Sequence, residues 1–115
     1  MLFDVRTVRR DGWCLVAVTG EIDLASVPAL RTELERVPVD DVALDLRNVD
    51  YLDPVALGVL LAGSLRSTRR GGRFAVVCAD GRPRELLVET RLDTILTVVG
   101  DADELTSAPR AATGP

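Results

Sequence analysis

Apolar and polar residues follow two rhythms along this chain, and each change of rhythm marks an element. Phe3, Val5 and Thr7 alternate with Asp4, Arg6 and Val8, the two-residue period of a strand. Arg10-Asp11-Gly12 is a turn signal, because Asp-Gly suits a tight hairpin. Trp13 to Val18 is a nearly unbroken apolar run and predicts a second, buried strand paired antiparallel with the first. Gly20-Glu21-Ile22-Asp23 closes it and leads to a loop. From about Ser26 to Arg36 the period lengthens: Val27, Leu30, Leu34 and Val37 share one helical face, with Ser26 as cap, Pro28 in the first turn and Pro38 as stop. Val42 to Leu46 is a strand that carries one acidic residue, Asp45. A long helical run follows from about Pro54 to Arg70 and ends at Gly71-Gly72. Arg73 to Cys78 is a strand, Asp80-Gly81-Arg82-Pro83 opens a third helix through about Thr90 with Leu86 and Leu87 inward, Thr94 to Val99 is a last strand, and Asp101 to about Ser107 a short helix.

The order β-β-α-β-α-β-α-β-α predicts an α/β fold. Strands joined by helices run parallel with right-handed crossovers, so the expectation is one mixed, mostly parallel sheet of about five strands, with an N-terminal antiparallel hairpin and about four helices. Residues 1–107 form the expected domain. Residues 108–115, rich in Pro, Gly and Ala, are expected to be a disordered tail.

The junction Asp50-Tyr51-Leu52-Asp53-Pro54-Val55-Ala56-Leu57-Gly58 is the most informative stretch. Asp can accept from free backbone N–H groups at a helix start, and Pro fits the first helical position. An acidic side chain therefore stands at the positive end of a helix. That helix has more apolar residues than one stripe can bury. At about 100° per residue, Leu57, Leu60, Leu61, Ser64 and Leu65 cluster on the expected core face, and Val55, Val59, Ala62 and Arg66 on the opposite one. Either a neighbouring helix covers Val55 and Val59, or they belong to an exposed patch that awaits a partner. Asp53 is either simply a cap or also part of the charge of that surface.

Composition narrows the function. The chain has 115 residues, enough for one domain with a real core, and a net charge of −4. Its positive charge is all Arg, scattered, and Trp13, Tyr51, Phe3 and Phe74 are its only aromatics. A nucleic-acid face is not expected from that pattern. Cys14 and Cys78 sit in apolar runs and read as buried thiols in a reducing cytosol; no His and no C-x-x-C supports a metal site. The N-terminus lacks the apolar stretch of a signal peptide, and no run reaches the ~18 residues of a membrane span. The expectation is a cytoplasmic protein without membrane insertion, cofactor or metal. Asp23, Asp50 and Asp53 could gather at the strand ends, where three carboxylates could bind a divalent ion. An enzyme is not expected: nucleophile elbow, P-loop and G-x-G-x-x-G are all missing.

Several segments, in order, resemble the STAS domain family of anti-sigma factor antagonists. Val18-Thr19-Gly20-Glu21-Ile22-Asp23-Leu24 is similar to the family's G-E-[IL]-D segment. Leu44 to Asp53 is similar to D-L-x-x-V-x-[FY]-[LMI]-D, and Leu57-Gly58-Val59-Leu60-Leu61 to the L-G-V-L continuation. Gly71-Gly72-Arg73 and Glu89 to Asp93 also fit, although Arg91 stands where a glycine is frequent. The resemblance spans about residues 3–107. It implies a non-catalytic binding module that docks an anti-sigma factor, usually a GHKL-type serine kinase. It also implies a switch, in which that kinase phosphorylates the Ser or Thr directly after the Asp matching Asp53.

At that point the chain departs from the pattern D-S-[ST]-G-L-G. It reads Asp53-Pro54-Val55-Ala56-Leu57-Gly58, so Pro54 occupies the phosphoacceptor position and neither Pro54 nor Val55 has a hydroxyl. The expected partner-binding residues are Asp23, Asp53, Pro54, Val55, Gly58 and Val59. The expected partner is an anti-sigma factor or another STAS or regulatory protein, with the oligomeric state open. The alternative is a scaffold or accessory subunit in a stressosome-like or transporter-associated complex.

Overall fold

A computed structural model describes residues 2–38 and 41–107. The expected tail, 108–115, lies outside the described residues. Five strands form one sheet in sequence order: β1 (Phe3–Arg10), β2 (Trp13–Ile22), β3 (Val42–Leu52), β4 (Phe74–Val77) and β5 (Thr97–Val99). β1 and β2 are antiparallel; every later pairing is parallel. The crossovers are α1 (Val27–Arg36), α2 (Ala56–Arg69) and α3 (Arg82–Glu89). Two 3-10 segments, Leu92–Thr94 and Ala102–Ser107, complete the described order. The predicted architecture is present, with the fourth helix reduced to a 3-10 turn.

Local chemistry explains the boundaries. Asp11 and Gly12 both take positive φ, 52° and 85°, between the closing pair Arg10 and Trp13, as a two-residue primed hairpin requires. Gly20 has φ +103°, and a Cβ there would stand 2.1 Å from the Leu2 carbonyl oxygen. That oxygen accepts from the Glu21 N–H at 2.9 Å. The glycine of the Gly20-Glu21 pair is thus needed where β2 shifts register against β3 and the chain start packs close. At the end of α2, Gly71 has φ +77° and the Gly72 N–H donates to the Ser67 carbonyl at 2.8 Å, a Schellman closure.

Two expected boundaries move, and one expected cap is not made. β3 does not stop at Leu46: Asn48, Val49, Tyr51 and Leu52 pair with Thr19, Gly20, Glu21 and Ile22. A long β2 offers those residues a ladder, and Val49 and Leu52 are buried while the polar residues between them stay outside. The last strand shrinks to Thr97–Val99, because Leu92–Thr94 turns as a 3-10 segment and Ile95 faces solvent. Ser26 does not cap α1 with its side chain; it is buried and bonded back into the preceding turn.

The two faces of the sheet carry separate cores. On one, Val16, Val18, Leu44, Leu46 and Val76 pack beneath α1, α2 and α3, with Leu30, Leu60, Leu86 and Leu87 pointing down. On the other, Trp13, Leu15, Ala43, Ala75 and Val77 lie with Ala102 and Leu105 of the terminal 3-10 segment. Asp45, the acidic residue of β3, is buried, and Arg47 satisfies it through two side-chain bonds of 3.0 and 2.9 Å and its own N–H at 3.0 Å. Those bonds, foremost, hold the Arg47 guanidinium above its ordinary pKa.

α2 is rotated by about one residue, ~100°, from the expected orientation. Its buried residues are Ala56, Val59, Leu60, Gly63 and Ser67. Leu65, expected in the core, is 56% exposed, and Val59, expected outside, is 3% exposed. The physical reason is distance. α2 meets the sheet through small residues, and a Cβ on Gly63 would stand 2.9 Å from Phe74 Cε1. Once the helix sits that close, α1 covers the Val59 side, while the Leu57-Leu61-Leu65 ridge is left half open.

Candidate functional site

The candidate site is built where β2 and β3 end side by side. The Asp53 N–H donates to the Ile22 carbonyl at 2.8 Å, so the loop after β2 and the start of α2 are fixed to one another. Asp53 Oδ1 accepts from the Val55 N–H at 2.9 Å, bridging over Pro54, which has no N–H to offer. The Asp53 carbonyl accepts from Ala56, and Pro54 and Val55 form a tight turn ahead of the helix. The expected helix start at Pro54 therefore moves to Ala56, and the Asp-Pro pair supplies the turn that launches it.

Asp23 is held in the neighbouring loop. Its Oδ1 accepts from the Ser26 N–H at 3.0 Å and lies 3.0 Å from the Ser26 hydroxyl, which itself accepts from the Asp23 N–H at 2.9 Å. The Ser26 backbone bond is the main reason that the Asp23 carboxyl is held below its ordinary pKa, with burial opposing. Asp23 is thus a carboxylate at neutral pH. Ser26, the expected cap of the first helix, is 8% exposed and locked in this loop.

In the turn before α2, Pro54 and Val55 are exposed; on the outer side of α2, Gly58, Ala62 and Leu65 are exposed, and Leu57 and Leu61 are partly so. Val55 is 53% exposed and Leu24, in the adjacent loop, 64%. The structure thus separates two residues that the sequence placed together. Val55 stays open to solvent, whereas Val59 belongs to the core and is withdrawn from the surface. Of the six expected binding residues, Asp23, Asp53, Pro54, Val55 and Gly58 reach the surface at one end of the sheet. Leu24 joins that apolar surface without having been singled out, and Leu61 and Leu65, expected on the core face, join it as well. The surplus of apolar residues in α2 was the signal for the two leucines of the helix.

The hollows nearby are shallow. One of about 280 Å³ lies between Phe3, Glu21, Asp23, Ala25, Ser26 and Ala29. Another, about 420 Å³, lies along α3 beside Asp80, Arg84 and Val88. Among the described residues, no group of three or more His, Cys, Asp or Glu is placed to hold a metal, so Asp23, Asp50 and Asp53 do not converge on one point. Burial raises the thiol pKa of Cys14 and Cys78. Among the described residues, no helix is long and apolar enough to cross a membrane.

The STAS domain profile matches residues 4–105, nearly the whole described chain. The chain belongs to the STAS domain family. The anti-sigma-B factor antagonist of Staphylococcus aureus is 32% identical over 76 residues, covering 64% of this chain and 69% of its own. The crystal structure of an anti-sigma factor antagonist from Mycobacterium paratuberculosis superposes with a TM-score of 0.85 at 27% identity, over 92% of each chain. A sulfate transporter family protein from Wolinella succinogenes shares the fold, with a TM-score of 0.72 at 16% identity over 87% of this chain and 86% of its own. It is a STAS domain with anti-sigma factor antagonist homologues, and it has the five-stranded mixed sheet and the N-terminal hairpin expected.

Proposed function

We propose that this STAS domain is a non-catalytic binding module that docks an anti-sigma factor of the GHKL serine-kinase type, and that it does so without being switched by phosphorylation at the usual place. The reading rests on one observation: α2 presents Val55, Gly58, Ala62 and Leu65 to solvent directly after the Asp53-Pro54 turn. An apolar helix face rimmed by Asp23 and Asp53 is a surface that water solvates poorly and a complementary groove can bury. The names of the relatives, anti-sigma factor antagonists, point to the same class of partner.

The proposed interface consists of Asp23, Asp53, Pro54, Val55 and Gly58, extended by Leu61 and Leu65. Pro54 takes the place of the phosphoacceptor. A phosphate at that place would add about −1.5 to −2 charges beside Asp53; the helix dipole tolerates them, but a partner surface matched to one carboxylate is repelled. With no hydroxyl on Pro54 or Val55, that repulsion has no trigger, and docking is constitutive at this site.

Two measurements test this. Co-purification from the native host recovers a GHKL-type kinase if the reading holds; recovery of other STAS proteins or of a transporter ATPase instead moves the assignment to a scaffold or accessory subunit. Incubation with ATP and the recovered kinase leaves residues 50–58 unmodified in peptide mapping. A phosphate there would have to sit on Tyr51, the one hydroxyl in that stretch, and would overturn the proposal. Pro54→Ser, with Val55→Ser added, restores phosphate transfer if the docking geometry is kept.

A further inference from the structure

The far face of the sheet, opposite the three helices, is closed by very little. Trp13, Leu15, Ala43, Ala75 and Val77 are all buried there; Val99 packs against them, the Arg73 guanidinium lies 4.3 Å from the centre of the Trp13 ring, and the terminal 3-10 segment adds two side chains, Ala102 and Leu105. The segment is anchored through charge. Asp101 pairs with Arg47 at 3.6 Å, and Asp103 pairs with Arg10 at the hairpin end of β1. Arg47 is in turn clamped by the buried Asp45, so this anchor on the sheet is rigid. Both aspartates of the segment are mostly exposed, 57% and 80%, and ion pairs with such partners are weak and screened by salt.

One buried group opposes closure. The Trp13 indole Nε1–H is fully buried and has no hydrogen-bond partner among the described residues. An unpaired buried donor makes the closed state costlier than it would otherwise be, and water relieves it when the cover lifts. A short 3-10 segment with two apolar anchors and exposed ion pairs, on a face that holds an unsatisfied donor, has the features of a unit that opens below the global stability.

We propose that residues 101–107 form an electrostatically latched strap, which opens as a unit and uncovers the Trp13 face of the sheet while the three-helix face stays folded. The latch is Arg10–Asp103 and Arg47–Asp101. The device lies on the other side of the sheet from α2 and needs no hydroxyl at Pro54.

Trp13 is the only tryptophan of the chain, so its fluorescence reports the strap directly. The full chain is compared with Asp101→Asn/Asp103→Asn, a pair that leaves the Asp45–Arg47 clamp intact. Acrylamide quenching of Trp13 rises about two-fold or more in the variant, and hydrogen exchange quickens at residues 101–107 but not in α2. Raising NaCl from about 0.05 to about 0.5 M, which shortens the Debye length from roughly 14 to roughly 4 Å, moves the native chain toward the variant and leaves the variant unchanged. Quenching that responds to neither the substitutions nor salt overturns the proposal. So does exchange that quickens in α2 as much as in the strap, because the unit would then be the whole domain.

Discussion

The two faces of the sheet in this STAS domain solve the same problem with unequal means. One face is closed by three helices that bury Leu30, Leu34, Ala56, Leu60, Leu86 and Leu87. The other carries no α-helix among the described residues: Arg73 stacks on Trp13, and a six-residue 3-10 segment adds Ala102 and Leu105, with exposed ion pairs at its edge. Burial of a side chain is equally complete on both faces: Leu60 is 0% exposed and Leu105 1%. What differs is how much else must move to expose it. Percentage burial therefore does not measure integration into the fold.

The largest test of this contrast compares two identical truncations. Leu60→Ala is expected to cost about 2–5 kcal/mol in urea unfolding, as for a cavity in a close-packed core. Leu105→Ala is expected at or below the low end of that range, because a lifted strap closes no cavity. Equal losses would break the comparison. Gly63→Ala probes how tightly the helical face is packed. Overpacking against Phe74 costs about 1–3 kcal/mol, and the better helix propensity of Ala returns at most ~1 kcal/mol, so the net change is a loss. A gain in stability would mean that α2 stands further from the sheet than described.

A smaller, pH-dependent effect comes from the loop that joins the faces at the strand ends. The Asp23 carboxyl is held below its ordinary value of 3.8 in the folded state, chiefly by the Ser26 N–H. Its contribution is complete above that value and is lost as pH falls through the lower folded value. Acid titration of Asp23→Asn should show a shallower loss of stability in that window, and an unchanged profile would remove the assigned tie. The smallest effect is expected at Leu65→Ser on the open side of α2. Its stability should stay within about ±0.5 kcal/mol of the native chain in thermal melts. Affinity for the recovered partner should fall all the same, because a buried leucine at an interface is lost.

Legibility differed by element in the same physical terms. The hairpin at Asp11-Gly12, the α1 face of Val27, Leu30 and Leu34, the inward Leu86 and Leu87 and the alternation of strand and helix were all readable, because each depends on turn chemistry or on a period within a few residues. The second half of β3 was not, because its strand conformation depends on pairing with β2, about thirty residues earlier. The Asp101 and Asp103 contacts were invisible for the same reason: the partners Arg47 and Arg10 are remote in sequence.

At the candidate site, the sequence by itself determined that a carboxylate precedes Pro54, that neither Pro54 nor Val55 carries a hydroxyl, and that α2 has more apolar residues than one stripe holds. Only the tertiary structure decided which of them face out. Periodicity weights a helix by its largest apolar side chains and so directed the leucines inward. The chain instead buries Ala56, Val59, Leu60, Gly63 and Ser67 of α2, with Gly63 set close against Phe74, where a side chain would not fit. That approach buries Val59, opens Leu65 and leaves Val55 beside Asp53 at the surface.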